Sequence, residues 1–345
     1  MAFDPSASTS TAKTLAEWAK LLDPNGKIAT IAEMMNQTNP ILDDAIWVEG
    51  NLPTGHRTTI RTDIPAPTWR KLNYGVQPTK SLTAQVTDTI GMLEAYSEVD
   101  KELADLNGNT SEFRLSEDRP HIEGMNQALA TALFYGDTAL NPERFLGLAP
   151  RYNSLTLGAS LPGVTHLNGG TTGQYNVIGA GGSGGDTTSA YLVVWGQNTV
   201  HMIFPKGSQA GLQHRDMGEV TLFDAAGGRY QGYRSHYQMK AGLCVRDWRY
   251  IVRIANIETT GTSNILTVEQ MIRAVNQIPT LGMGKPVFYV NRTLKTQLDI
   301  MAVAKIANSV VREGIDEQFG KPVTSVLGIP VRVCDSLINT ETVVA

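Results

Sequence analysis

The chain has no run of about 18 apolar residues, so no segment is built to cross a membrane as a helix. Its start, Met1-Ala2-Phe3-Asp4-Pro5-Ser6, has neither the basic residues nor the apolar stretch of a secretory signal, so we expect folding in the cytoplasm. It holds only two cysteines, Cys244 and Cys334, without the paired spacing of a zinc or redox motif. Both sit in apolar, strand-like surroundings and are expected to be buried free thiols. No sign of charge dominates either: 29 basic side chains meet 33 acidic ones, for a net charge of −4. A protein whose main task is gripping nucleic acid needs a concentrated basic surface, and this balance excludes that class. It does not exclude a container that encloses DNA.

What is present is a chain of 345 residues, 41% hydrophobic and 18% charged, enough to bury a real core. It has room for two or three compact domains, or one core with long extensions. Residues 1–13 are small and polar and read as a flexible arm. Leu15, Trp18, Ala19 and Leu22 then fall at helical spacing behind a capping box of Thr14 and Glu17, and Asp23-Pro24-Asn25-Gly26 stops the helix. A second short helix is expected through Ile28, Ile31, Met34 and Met35.

Residues 48–98 carry two threonine-rich runs of loose alternation, His56–Thr62 and Ser81–Thr87, which suit strands. The link between them contains Pro65, Pro67, Trp69, Arg70, Lys71, Tyr74 and Gly75. Such a hairpin has few apolar positions, and an isolated hairpin is marginal in water. It must lean on something, and a neighbouring subunit is the natural support. Aromatics and arginine at a poorly buried tip have the composition of interface anchors, so Trp69, Arg70, Lys71 and Tyr74 are the candidate inter-subunit contacts. The bland alternative is a tip that packs back on its own domain.

A long helix is expected over roughly 118–136, with Asp118 as cap, Pro120 in the first turn, Ile122, Met125, Leu129 and Leu133 on one apolar face, and Gly136 at the end. Residues 158–188 are glycine-rich and read as a mobile surface loop. Strands follow at Tyr191–Trp195, Val200–Phe204, Tyr230–Lys240 and Leu243–Ile257. Thr267 and Gln270 form a capping box ahead of Met271, Ile272 and Val275; Asn291 caps a helix carrying Leu294, Leu298 and Met301; Ile329–Val333 is a closing strand. Helix and strand blocks are segregated rather than alternating, which makes the class α+β.

Motifs that resemble active sites fail on context. Gly179-x-Gly181-x-x-Gly184 matches a dinucleotide fingerprint, yet Asp186-Thr187-Thr188 leads into a strand, leaving no helix N-terminus for a pyrophosphate. Gly181-x-Ser183-x-Gly185 matches a hydrolase elbow without the buried strand before it and the helix after it. His201, His214 and His236 with Asp216 and Glu219 show no compact ligand spacing. Glu94, Glu98, Asp100 and Glu102 read as a solvated charge run with local ion pairs. No catalytic, cofactor-binding or metal-binding residue is assigned, no cofactor is implied, and the chain is not expected to be an enzyme.

Taken together, these features resemble the major capsid proteins of tailed bacteriophages that share the HK97-type fold. The resemblance divides the chain into an N-terminal arm with short helices (1–47), an extended hairpin or E-loop (48–98), a spine-helix region of the P-domain (99–150), a glycine-rich loop with P- and A-domain strands (151–260), and A-domain helices with the closing strand (261–345). Leu243–Ile257 looks like the long P-domain strand; Val287–Asn291 and Leu327–Val331 look like the A-domain. The runs Leu42–Arg57 and Gly227–Arg234 are similar to a short-tailed-phage group that includes the Bordetella phage shell protein. In the usual family order the Gly-x-Pro-Val segment precedes the late P-domain strands, whereas Gly328-Ile329-Pro330-Val331 comes last here, so a permuted strand order is expected. Lys71 and Lys80 lie in the hairpin, but no motif supports the lysine–asparagine crosslink of some relatives.

The resemblance implies self-assembly through pentamers and hexamers into an icosahedral shell around the phage double-stranded DNA, with no sequence-specific DNA contact and no membrane. It implies assembly in the host bacterial cytoplasm, residence in the virion, and separate scaffolding, portal and cement proteins as partners. Three rivals are an encapsulin-like compartment, marked by enzyme cargo inside purified particles; a tail-tube protein, marked by tubes or rings; and a hydrolase using the glycine loop, whose activity would vanish in Ser183→Ala.

Overall fold

The computed structural model describes residues 37–106, 110–155, 176–224, 226–304, 311–315 and 322–345. The arm and the two short helices expected before residue 37 lie outside the described residues, as does the 158–175 part of the glycine-rich stretch. In chain order the elements are α1 (Ile41–Asp44), β1 (Trp47–Glu49), β2 (Gly55–Asp63), β3 (Leu82–Asp100), α2 (Lys101–Asp105), α3 (Thr110–Tyr135) and α4 (Leu148–Arg151). They continue with β4 (Val177–Gly179), β5 (Thr187–Trp195), β6 (Val200–Phe204), β7 (Leu212–Phe223), β8 (Arg229–Val245), β9 (Ile251–Glu258), α5 (Val268–Gln277), β10 (Lys285–Val290), α6 (Arg292–Ala304), β11 (Val311–Ile315), β12 (Pro322–Val326) and β13 (Ile329–Val333). The mixture is α+β. Among the described residues no helix is long and apolar enough to cross a membrane.

The chain divides into two compact units, and β3, β8 and α3 each contribute residues to both. In the larger unit (Thr38–Gly91, Ala130–Gln209, Ala241–Ala345) strands run in the order β11-β12-β13-β10-β5-β6-β8, with β9 also on β5, β4 on β9 and β1 on β6. All nine residues of β5 are buried, as are the first seven of β9. These near-continuous apolar runs are what strands covered on both faces require. At the centre the Trp195 indole N–H donates to the Tyr289 hydroxyl (2.8 Å), which donates to Asp44 (3.0 Å). Lys285 and Arg332 neutralise that carboxylate at 2.6 and 3.2 Å.

The segment after β13 is sewn into this core. Glu341 accepts from Arg253 at 2.8 Å, and from the Ser189 and Tyr135 hydroxyls at 2.5 Å each. The Asn256 side chain pairs with both backbone groups of Val344, and the Ala345 carbonyl accepts from the Leu155 N–H at 2.7 Å. Burial and the adjoining Glu341 carboxylate push the Tyr135 hydroxyl pKa far up, so it stays protonated as a donor.

The described part of the smaller unit (Gln37, Met92–Leu129, Ala210–Lys240) is a long β7–β8 ribbon with the end of β3, α2 and the start of α3. One core cluster gathers Val99, Ala104 and Phe113, with Leu103 and Tyr233 packed against them, and Met125, Leu129, Leu222 and Tyr237 are also buried. Polar contacts supplement it. Glu98 pairs with Arg234 (2.6 Å), Lys101 with Glu219 (2.8 Å) and Arg114 with Asp216 (2.6 Å).

Four expectations need correction. The long helix starts at Thr110, not near 118, and Pro120 sits inside it. The turn ahead of the proline is held by burial of Phe113 and by a hydrogen bond from the Ser235 hydroxyl to Asp118, which therefore does not cap the helix. Leu243–Ile257 is not one strand: the Asp247 side chain accepts from the Arg249 N–H and folds Trp248–Tyr250 into a 3₁₀ turn between β8 and β9. Residues 176–188 are not a mobile loop, because β4 pairs with β9 and the Gly182 N–H donates to the Asn256 carbonyl. The last strand of the ribbon, β8, pairs with β7, a polar strand that hydrophobic alternation did not reveal.

Candidate assembly surface

Strands β2 and β3 form the expected hairpin, in register from Gly55↔Thr89 to Arg61↔Thr83. Gly55 lies so close to β3 that a Cβ would stand 2.3 Å from the Asp88 carbonyl, so only glycine fits where the strands meet. Asn51 clamps the outer edge: its side chain donates to the Arg57 carbonyl and accepts from the Arg57 N–H, both at 2.7 Å. The base is tied to the sheet by a buried ion pair, Arg151 to Asp88 at 2.7 Å, and Arg151 also donates to the carbonyls of Leu146 and Leu243. A cleft of about 500 Å³ opens beside this base, with Ile60, Arg61, Arg246, Trp248 and Arg249 among its walls.

Beyond the base the support ends. Every residue from 66 to 83 is exposed. Trp69 and Leu72 are 101% and 86% exposed, and Ile64, Tyr74 and Val76 are exposed with them. A Lys71–Tyr74 backbone hydrogen bond, with Asn73 at φ 65°, turns the chain there. The four residues singled out by sequence, Trp69, Arg70, Lys71 and Tyr74, thus share one tip. Their side chains make no hydrogen bond or ion pair among the described residues. Monomeric proteins rarely present several large apolar side chains together on an unsupported loop.

The constellations that looked like chemistry are dispersed or engaged. Asp216 pairs with Arg114, and Glu219 with Lys101. His214 stacks on Tyr237 and His236 on Tyr96. Glu94 accepts from Gln238, while Asp100 caps α2 by accepting from the Glu102 N–H. Ser183 is exposed ahead of a strand rather than a helix. His201 lies instead in the larger unit beside His56 and Cys244, a meeting that residue spacing did not reveal. Both cysteines are buried and free; burial raises the Cys334 thiol pKa to about 11. The Arg151–Asp88 tie was also missed. Its one trace in the sequence is a carboxylate at an inward position of a threonine-rich strand.

The family model described as major capsid protein GP7 matches residues 23–345. The chain belongs to the GP7 major capsid protein family. It is 36% identical to a chain of the bacteriophage epsilon15 cryo-EM structure, over 98% of this chain and 99% of that one, with a TM-score of 0.73. A chain of the bacteriophage JBD30 capsid is 10% identical over 88% of this chain and 92% of that one, with a TM-score of 0.47. No curated protein matches the sequence. The fold is thus that of the HK97-like phage capsids, and this GP7 protein is a structural subunit that self-assembles into an icosahedral phage shell.

Proposed function

We propose that this capsid subunit assembles by laying its β2–β3 hairpin across a neighbouring copy, with Trp69, Arg70, Lys71 and Tyr74 as the anchors. One observation carries the reading: a tip with exposed Trp69, Leu72 and Tyr74 rises from a base held rigidly by the buried Arg151–Asp88 pair. Stable interfaces bury about 1,200–2,000 Å² in total. A shell subunit makes several, and closed symmetry multiplies modest affinities into a stable container. In this account residues 48–98 are the E-loop, α3 is the P-domain spine, and β10, α6 and β13 belong to the A-domain.

The shell encloses double-stranded DNA without reading its sequence, consistent with a net charge of −4. The protein does no catalysis. Assembly takes place in the host cytoplasm with separate scaffolding and portal proteins, and cement proteins join the outer face. The runs Leu42–Arg57 and Gly227–Arg234, similar to the short-tailed group that includes the Bordetella phage shell protein, support a kinship with that group.

Deleting Pro65–Gly75 tests the anchor assignment. Unchanged thermal unfolding with loss of particles in electron micrographs is the expected result. Loss of the fold itself, or particles at full yield, would overturn it.

A further inference from the structure

Two cross-strand pairs meet at the hairpin base. His56 on β2 stands opposite Asp88 on β3, and His201 on β6 stands opposite Cys244 on β8. Directly opposed residues project from the same face of a sheet, so each pair presents its side chains together. One nitrogen from each histidine and the Cys244 sulfur all lie within 4.8 Å of one another. The two rings meet edge to face, with centroids 5.8 Å apart.

The pocket is unusual in what it leaves unsatisfied. His201 is 1% exposed and Cys244 fully buried, and the hydrogen-bonding group near the His201 ring is the Gly196 backbone, which does not reach regular hydrogen-bond geometry. The buried Asp88 carboxylate, whose Oδ1 is held by Arg151, lies within hydrogen-bonding reach of the Cys244 thiol. Leaving a buried ring nitrogen short of a good hydrogen bond costs free energy that native proteins rarely tolerate without a compensating ligand or water. Imidazole, imidazole, thiolate and a nearby carboxylate are the donor set of a tetrahedral zinc site.

We propose that His56, His201 and Cys244 form a binding site for a soft divalent transition-metal cation of the zinc type, with Asp88 beside them as fourth ligand or counter-charge. This goes beyond the assembly reading and does not depend on it. Bonds of about 2.0–2.3 Å at tetrahedral angles set ligand separations near 3.5 Å, so small side-chain rotations must draw the three atoms inward. His56 gives up little: its Nδ1 accepts one long bond, 3.3 Å, from the Asn51 N–H, which coordination through either nitrogen would exchange. A binding metal must displace the Cys244 thiol proton, so its affinity weakens as pH falls. A bound ion would join β2, β6 and β8 where the hairpin leaves the sheet, fixing the angle of the arm.

The full-length protein, stripped with chelator under reducing conditions, should be titrated with Co²⁺ and then Zn²⁺. We expect about one Co²⁺ per chain, a near-ultraviolet sulfur-to-cobalt charge-transfer band, intense visible bands of tetrahedral cobalt, and bleaching of all of them by Zn²⁺. Cys244→Ser should remove the charge-transfer band with the circular dichroism intact. His56→Ala, at a half-buried position that tolerates truncation better, should weaken Zn²⁺ about tenfold or more and serves if the cysteine variant does not fold. Absence of these bands in the wild-type protein, or His56→Ala binding Zn²⁺ as tightly as wild type, overturns the proposal.

Discussion

Two irregular segments of the larger unit make opposite use of the same kind of backbone. Residues 335–345 contain little regular structure, yet Arg253, Asn256, Ser189 and Tyr135 satisfy their polar groups, and Leu337 and Val344 are buried. Residues 66–81 are just as irregular and pack against no other part of the described subunit, while carrying Trp69, Leu72 and Tyr74 in full view of solvent. Ordering a loop costs roughly 1–2 kcal/mol per residue, which contacts must offset. The C-terminal segment finds its contacts within the subunit. On the proposed reading the tip finds them on another copy, as a building block would.

The comparison can be sharpened first at its most buried tie. Arg253→Ala leaves the Glu341 carboxylate, 7% exposed, without its cation and should destabilise the subunit by about 3–5 kcal/mol in denaturant unfolding. A change below about 1 kcal/mol would mean that the last residues are decoration.

Arg151→Ala should cost about 3 kcal/mol, because Asp88 is equally buried, and should also lower particle yield by loosening the hairpin base. Stability loss with normal assembly would show that the tip needs no rigid mount.

In the metal-free protein, acid should weaken the same base. The folded-state pKa values of His201, about 4, and of His56 are lowered by burial, so the unfolded chain binds more protons between about pH 6.5 and 4. Stability contributed by neutral His201 is present above about pH 6.5 and lost as pH falls toward 4, on the order of 3 kcal/mol. Unfolding curves for His201→Gln across that range should be flatter than those of wild type; identical slopes would assign the acid sensitivity elsewhere.

The smallest effect is expected at Arg292–Asp335, whose arginine is 70% exposed. Arg292→Ala should shift stability by less than about 1 kcal/mol despite the 2.6 Å contact.

Local patterns made much of this fold legible. Threonine alternation marked the β2–β3 hairpin, Thr267 and Gln270 form their reciprocal capping box, and the Asn291 side chain accepts from the Leu294 N–H to start α6. Patterns whose meaning depends on tertiary partners misled. Pro120 reads as a helix start because the packing of Phe113 is invisible in sequence, and β7 reads as loop because a ribbon paired through its backbone needs few apolar side chains. The tip of the candidate surface could be read because its residue types are out of place in a hairpin. The His56–His201–Cys244 meeting could not, since it joins three strands through registers that no spacing encodes.

The most direct test of the central claim compares wild type with the double variant Trp69→Ala, Tyr74→Ala by light scattering and electron microscopy under assembly conditions, alongside thermal unfolding of the unassembled subunit. Anchors that act only between copies predict an unfolding temperature within about 2 °C of wild type and loss of closed particles. Particles forming at wild-type yield, or a subunit that has lost its own stability, would contradict the account.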